Sequence, residues 1–449
     1  MARGKKKETL TPEERLQAAL VPASEQPYPV PENWCWTYLG CVSDVVTGGT
    51  PSKKHPEYYG GLFPFFKPTD LDFGRHVVEA SEYLTNEGKI VSRIIPEQST
   101  AVCCIGSIGK CGFLEVEGTT NQQINAAIPK FNPLFLYYYC NTHYFNEELW
   151  SKASATTISI VNKSKMESCV FPLPPLPEQL RIVDRIESLF AKLDEAKQNV
   201  QDALDNFETR KAAILHRAFT GELTAQWRKE HGVGMESWKE ETLESVCYSI
   251  FDGDHMPPPK SEQGIPFLVI SNVNTGHLSF ENTRFVPESY YEALSDTRKP
   301  EYGDVLYTLV GSYGIPVIVD REHPFCFQRH MALLKPKNID SYYLWYILQS
   351  REMFEKATQI ATGTAQLTVP IKGLRQLKFN CASANEQGEI VRILDDLLAK
   401  EQQAKDAAEG VLEQIDLIKK AILTRAFRGE LGTNDPSEES AVELLKQVL

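Results

Sequence analysis

Gly106–Lys110 (Gly-Ser-Ile-Gly-Lys) offers the residue types of a phosphate-binding loop, in which backbone amides and a lysine cradle a nucleotide. The spacing does not fit that chemistry. Position 104 is Cys where the first glycine belongs, and Cys111 stands where a Ser or Thr would reach a magnesium ion. Gly311–Gly314 (Gly-Ser-Tyr-Gly) echoes the stretch, but neither has the glycines two residues either side of serine that a nucleophile elbow needs. Both read as tight turns. The nine histidines form no pair at helical spacing, so His330 beside Arg329 reads as a polar residue rather than a ligand. The ten cysteines, with Cys103 and Cys104 adjacent and Cys111 close by, follow neither a zinc spacing nor a disulfide framework. They read as reduced cytosolic thiols. Asn132-Pro133-Leu134 is only a fragment of the Asn/Asp-Pro-Pro-aromatic motif with which amino-methyltransferases hold a target base. No glycine-rich adenosylmethionine loop, helicase motif or nuclease cluster accompanies it. The chain is expected to catalyse nothing itself and to carry neither metal nor cofactor.

The elements around these turns come in two sets. Residues 31–170 and 236–380 share a plan: Trp34 or Trp238 is followed five residues later by Leu39 or Leu243, then by a glycine-bearing polar loop. A strand-like run after Pro64 or Pro266 comes next, then the Gly-Ser-x-Gly turn, then Gln122 or Gln328, then an aromatic, helix-like patch (LFLYYYC or YYLWYIL). Strands with tight glycine turns predict an irregular β-rich α/β domain used twice with divergent loops. Trp34, Trp238, Phe65 and Phe267 are expected in its cores.

Each of these regions leads into a shorter segment that is written twice. Glu178–Leu223 recurs as Glu386–Leu431, 208 residues later without a gap, and 20 of the 46 aligned positions are identical. The first copy steps by four and three through Ile182, Ile186, Leu189, Leu193, Ala196, Val200, Ala203, Phe207 and Ile214, interrupted by Arg210. The second keeps the register through Ile390, Leu394, Leu397, Ala404, Ala408, Val411, Ile415, Ile418 and Ile422, interrupted by Glu401. These are heptad seams, and each helix needs a long partner for its single apolar stripe. Pro177 suits a first helical turn, Ser383 with Glu386 offers a capping box, and Gly221 and Gly429 suit left-handed caps. Roughly 42 residues would make a rod on the order of 60 Å. Intramolecular pairing is the economical arrangement, and a pseudo-two-fold axis would make it antiparallel.

The 449 residues, 42% of them hydrophobic and 10% aromatic, suit several globular domains. No run approaches a membrane span, and Met1–Leu20 has no apolar core of a secretion signal, so a cytoplasmic protein is expected. Thr11, Pro12 and Glu14 instead cap a short helix holding Leu16, Ala19 and Leu20. Lys and Arg against Asp and Glu number 11 to 14 in residues 31–170 and 14 to 18 in residues 236–380. Phosphate attraction by this chain alone is therefore weak, and a partner would have to supply much of any electrostatic affinity for DNA.

The order of these features resembles the specificity subunit of a type I restriction-modification enzyme. Pro172–Gln179 (PLPPLPEQ) entering a heptad helix, Arg217–Leu223 (RAFTGEL) with its Thr224–Arg228 extension, Arg425–Leu431 (RAFRGEL), and Pro31–Trp34 (PENW) carry the resemblance, which covers nearly the whole chain. It implies an α/β (α+β) fold: two β-rich target recognition domains joined by two long antiparallel coiled-coil helices, with internal pseudo-two-fold symmetry. Its parts would be an N-terminal helical extension (1–30), recognition domain 1 (31–175), a first long helix (176–230), recognition domain 2 (231–382), a second long helix (383–431) and a tail helix (432–449). Each recognition domain would read one half of a bipartite, asymmetric double-stranded DNA site. The helices would space the heads and dock two adenine-methylating modification subunits, which would carry S-adenosylmethionine. Restriction/motor subunits would add ATP and Mg. The rival readings are a coiled-coil scaffold without DNA specificity and a combined single-chain restriction-modification enzyme. The tail helix has two possible roles, packing on the N-terminal helix or touching a partner.

Base reading calls for paired donors and acceptors, or Arg and Lys, on loops that reach a groove. In the first head these are Thr50, Ser52, Lys53, Lys54, Thr69, Asp70, Ser107, Lys110, Gln122 and Gln123, with Thr156, Thr157 and Lys163 from a later loop. In the second they are Asp254, His255, Lys260, Ser271, Asn272, Ser312, Tyr313, Gln328, Arg329 and His330, with Thr364 and Gln366. Helix pairing is assigned to Ile182, Ile186, Leu189, Leu193, Phe207, Ile214, Ile390, Leu394, Leu397, Ile415 and Ile422.

Overall fold

A computed structural model describes residues 11–154, 159–253, 258–364 and 366–449. Its compact units do not follow chain order. One comprises residues 1–199 with 411–449, the other residues 200–410, so each takes part of both repeated helical segments.

The first unit holds a two-stranded pair (Cys35–Tyr38 with Val170–Leu173) where the head meets its helix. Beyond it lies a four-stranded antiparallel sheet in the order Ser43–Thr47, Ile124–Pro129, Ser99–Cys103, Cys111–Leu114. A three-stranded sheet (Glu82–Leu84, Tyr59–Phe66, Thr119–Thr120) completes the head. Unit two repeats all three: Lys239–Thr242 with Lys378–Cys381; Cys247–Asp252, Met331–Pro336, Val305–Thr308, Pro316–Ile318; and Arg284–Val286, Ile265–Leu268, Cys326–Phe327. The aromatic patches are helices, Pro133–Cys140 and Ser341–Leu348. The polar runs after them form His143–Lys152 and Arg351–Ile360 behind Thr142 and Ser350 caps. Trp34, Phe65 and Phe267 are buried, whereas Trp238 is only partly covered.

The two copies of the repeat fold unequally. The second is one 43-residue helix, Ala384–Ala426, about 65 Å long. The first is broken into Leu176–Asp205 and Phe207–Phe219. At the break, Asn206 turns its side-chain amide back onto Asp202 O (2.7 Å), the competition with the helix ladder that makes Asn a poor interior residue. Arg210 then donates to Ala203 O (3.0 Å) and, through Nε, to Glu401 (2.8 Å). The two polar interruptions of the seams are thus each other's partner. Gly221 and Gly429 follow the helix ends with φ of +78° and +73°.

Within each unit the helical segments run antiparallel. Asp194 pairs with Lys419 and Lys197 with Asp416 in the first; Phe207 packs under Lys405 and Arg210 reaches Glu401 in the second. Ile182, Ile186, Phe207, Ile390, Leu394 and Ile415 are buried, and Leu189, Leu193, Ile214, Leu397 and Ile422 half-buried. Ala203, Ala404, Val411 and Ile418 of the expected seams are exposed instead. A straight helix drifts about 20° per heptad away from a 3.5-residue repeat, so a strict seam does not stay facing its partner over this length.

The tail's place is settled inside unit one. The helix Pro12–Ala19, closed by the Thr11–Glu14 capping box, shares a core with the tail helix Ala441–Val448 through Ala19, Ala441 and Leu445. Ala441 N donates to Asn33 O (2.8 Å), and Arg181 grips Glu438 with two bonds (2.8 and 2.9 Å) and Thr433 O with a third (2.9 Å). No helix among the described residues is long and apolar enough to cross a membrane.

Candidate nucleic-acid interface

At one end of each four-stranded sheet, backbone bonds lace together loops that are far apart in sequence. In the first head, Gly48 N donates to Ile124 O (3.0 Å), Gly49 N to Thr120 O (2.8 Å) and Asn121 N to Phe66 O (3.1 Å). Cys104 N bonds Gln123 O (2.7 Å), and Val161 N bonds Cys104 O (3.0 Å). The loops carrying Thr50, Thr69, Ser107 and Gln122, and the end of the late loop, therefore converge. The second head repeats the lacing: Gly253 N to Met331 O (3.3 Å), Gln328 N to Leu268 O (3.0 Å), Leu309 N to His330 O (2.8 Å) and Gly311 N to Leu367 O (3.1 Å). The Gly-Ser-x-Gly turns are hairpin ends, with left-handed φ at Gly106, Gly109, Gly311 and Gly314. A strand follows each, where a phosphate-binding loop would start a helix.

Thr50, Ser52, Lys53, Lys54, Thr69, Ser107, Gln122 and Lys163 are exposed in the first head, with Lys110 and Gln123 half-buried. Thr50 donates to Gln122 Oε1 (2.6 Å), which points that amide's donor side outward. Lys110 is tied to Asp72 (2.6 Å) and Lys163 to Glu167 (3.5 Å). In the second head Lys260, Ser271, Ser312, Arg329, Thr364 and Gln366 are exposed. Tyr313 stacks on Phe354 at 5.6 Å and donates to Thr358 (3.1 Å). Partial burial, and then the charge of Arg329, push the His330 pKa down, so its ring acts as a neutral partner of Gln328 (2.6 Å). Thr156, Thr157, Asp254 and His255 lie outside the described residues.

Two expectations fail for one physical reason. Asp70 is buried and accepts from Lys67 N (2.7 Å), Ser81 N (3.0 Å) and Ser81 Oγ (3.2 Å). Asn272, its counterpart, is buried too; it accepts from Val269 N (3.0 Å) and donates to Glu281 O (3.1 Å). Both side chains close the turn after a strand and are consumed by backbone, so they shape the edge without facing a groove.

The residues that hold each head on its helix were not anticipated. Glu178 and Glu386 are buried, and each carboxylate accepts an indole N–H: Trp34 at 2.7 Å and Trp238 at 2.8 Å. Glu386 also takes Arg228 (2.5 Å) and Thr224 (2.6 Å), while Glu178 takes Asn434 (2.8 Å) and Thr433 (3.4 Å). The expected capping box is therefore absent, because Glu386 is spent on the tryptophan and arginine. Gln179 and Gln387 receive the backbone N–H that opens the aromatic helix's cap, from Asn132 (3.4 Å) and Asp340 (2.8 Å). The signal was present in the sequence: Trp and Glu-Gln recur at matching places in both copies.

Residues 31–204 and 235–409 each match the family model of the type I restriction modification DNA specificity domain. The chain belongs to that family. The specificity subunit of the type I restriction enzyme EcoKI from Escherichia coli K12 is 22% identical over 93% of this chain and 95% of its own. The MjaVIII specificity subunit of Methanocaldococcus jannaschii is 24% identical over 90% and 94%. Among solved structures, the HsdS subunit from Thermoanaerobacter tengcongensis superposes with a TM-score of 0.58 at 21% identity, covering 91% of this chain and all of that one. A chain from a structure of type I restriction-modification complex assembly and conformational transition gives 0.68 at 20%, over 90% and 100%. As a type I specificity subunit the chain recognises DNA.

Proposed function

We propose that each head reads one half of a bipartite, asymmetric DNA site through its laced edge. The helix pair sets the gap between half-sites and docks two adenine-methylating modification subunits, with restriction/motor subunits joining through them. The observation that carries this reading is one frame built twice with different side chains at matching loop positions: Thr69, Ile108 and Gln122 in one head, Ser271, Tyr313 and Arg329 in the other. Exposed Val411, Leu417 and Ile418 on the second helix support docking of other chains there, since single-chain packing leaves them uncovered. Chemistry belongs to the partners in this reading: S-adenosylmethionine on the modification subunits, ATP and Mg on the motors, and no catalytic role for this chain.

The test exchanges residues 236–380 for a different head and maps methylated adenines in a naive host that also expresses the modification subunit. One half of the motif should change and the other stay. A change in both halves, or in neither, would sink the reading.

A further inference from the structure

The heads differ at most of the loop positions above, yet both carry an arginine at the same place on the frame. Asn125 faces Thr47 and Val102, and Ala332 faces Asp252 and Tyr307, so Val102 corresponds to Tyr307, 205 residues on. Gly48 and Gly253, which make the equivalent lacing bonds, are separated by the same 205. So are Arg93 and Arg298.

Each arginine reaches the foot of the first polar loop. Arg93 is exposed, and its Nη1 donates to Thr47 O at 2.6 Å, beside Gly48. Arg298 closes the short turn Asp296–Arg298, which packs on strands Cys247–Asp252 and Met331–Pro336, and it lines a recess with Gly253 and Phe327. Neither guanidinium has an acidic partner among the described residues. The Thr47 bond uses one of five N–H donors and fixes the plane of the fork, leaving the other donors for a ligand.

A residue that distinguishes two different half-sites would differ between heads. One kept in both serves what both half-sites have in common, which is the phosphate backbone. We propose that Arg93 and Arg298 are matched phosphate contacts, one per head, that seat the reading loops on the duplex. Both heads carry more acidic than basic residues, so each cation without an acidic partner among the described residues, these two beside the exposed Lys53, Lys54, Lys260 and Arg329, adds to the phosphate attraction of the reading edge. This inference rests on the half-site reading above.

The test uses the full chain with its modification subunits and measures affinity against salt for a duplex bearing the methylated motif and for a scrambled one. Arg93→Gln and Arg298→Gln should each weaken both duplexes alike and reduce the slope of log affinity on log salt by about 1. Arg93→Lys and Arg298→Lys should restore the slope, and the methylated motif should stay as it was. An unchanged slope in the Gln variants would make these arginines purely structural, and relaxation of one motif position would make them base readers; either overturns the proposal. A wild-type complex with no preference between the duplexes would instead sink the half-site reading itself.

Discussion

Glu178 and Glu386 occupy the same position of the repeat and take the same indole bond, yet their remaining partners differ in kind. Glu386 is neutralised by a buried guanidinium, whereas Glu178 is met by the amide of Asn434 and the hydroxyl of Thr433. Accordingly, burial raises the Glu178 pKa, only partly offset by its hydrogen bonds from Asn434 and Trp34. In each unit the compensating groups come from the segment that follows the opposite copy of the helix: Thr224–Arg228 after the first, Thr433–Asn434 after the second. The junction of tryptophan and carboxylate is common to both, and its electrostatic completion is local. The same holds along the helices, where the station occupied by Arg210 and Glu401 in one unit corresponds, 208 residues away, to Ile418 and Leu193.

The comparison breaks most sharply at Arg228. Arg228→Met should cost about 3–5 kcal/mol, because it strands a buried carboxylate. Denaturant unfolding of the purified chain would read it, and a loss below 1 kcal/mol would mean that Thr224 and Trp238 already compensate Glu386.

A smaller effect tests what the units have in common. Trp34→Phe and Trp238→Phe each remove one N–H donated to a carboxylate, and each should cost roughly 1.5–3 kcal/mol. Markedly unequal losses would show that the indole bond is not the common element.

The smallest effect is one of pH. With its folded pKa raised above the unfolded value, Glu178 binds its proton more tightly in the folded chain, so its stabilising contribution is present at low pH. That contribution declines as pH rises from the unfolded pKa through the folded one. Glu178→Gln should therefore flatten that part of the stability profile for the first unit, as measured by thermal unfolding across mildly acidic buffers. An unaltered profile would place the titration elsewhere.

Much of this was legible from residue order. The turns at Gly106–Gly109 and Gly311–Gly314, the aromatic helices and the N-terminal capping box follow local rules that need no tertiary information. Asp70 and Asn272 misled because a polar residue after a strand serves equally as a groove contact or as a turn closure, and only burial separates the two. Ala203, Ala404, Val411 and Ile418 misled because a heptad count ignores helical drift. The correspondence of Arg93 with Arg298 is set by strand register, at an offset of 205 rather than the 208 of the helices, so the helical repeat does not reveal it.

By itself the sequence determined the duplication, the plan of each head, the two long helices and the family, since repeats, periodicities and motif order are properties of one dimension. Tertiary structure decided the antiparallel pairing, the meeting of Arg210 with Glu401, the docking of the tail on the N-terminal helix and the burial of Glu178 and Glu386. Each of those joins groups hundreds of residues apart, and their energies depend on geometry and on exclusion of water, which no local pattern records.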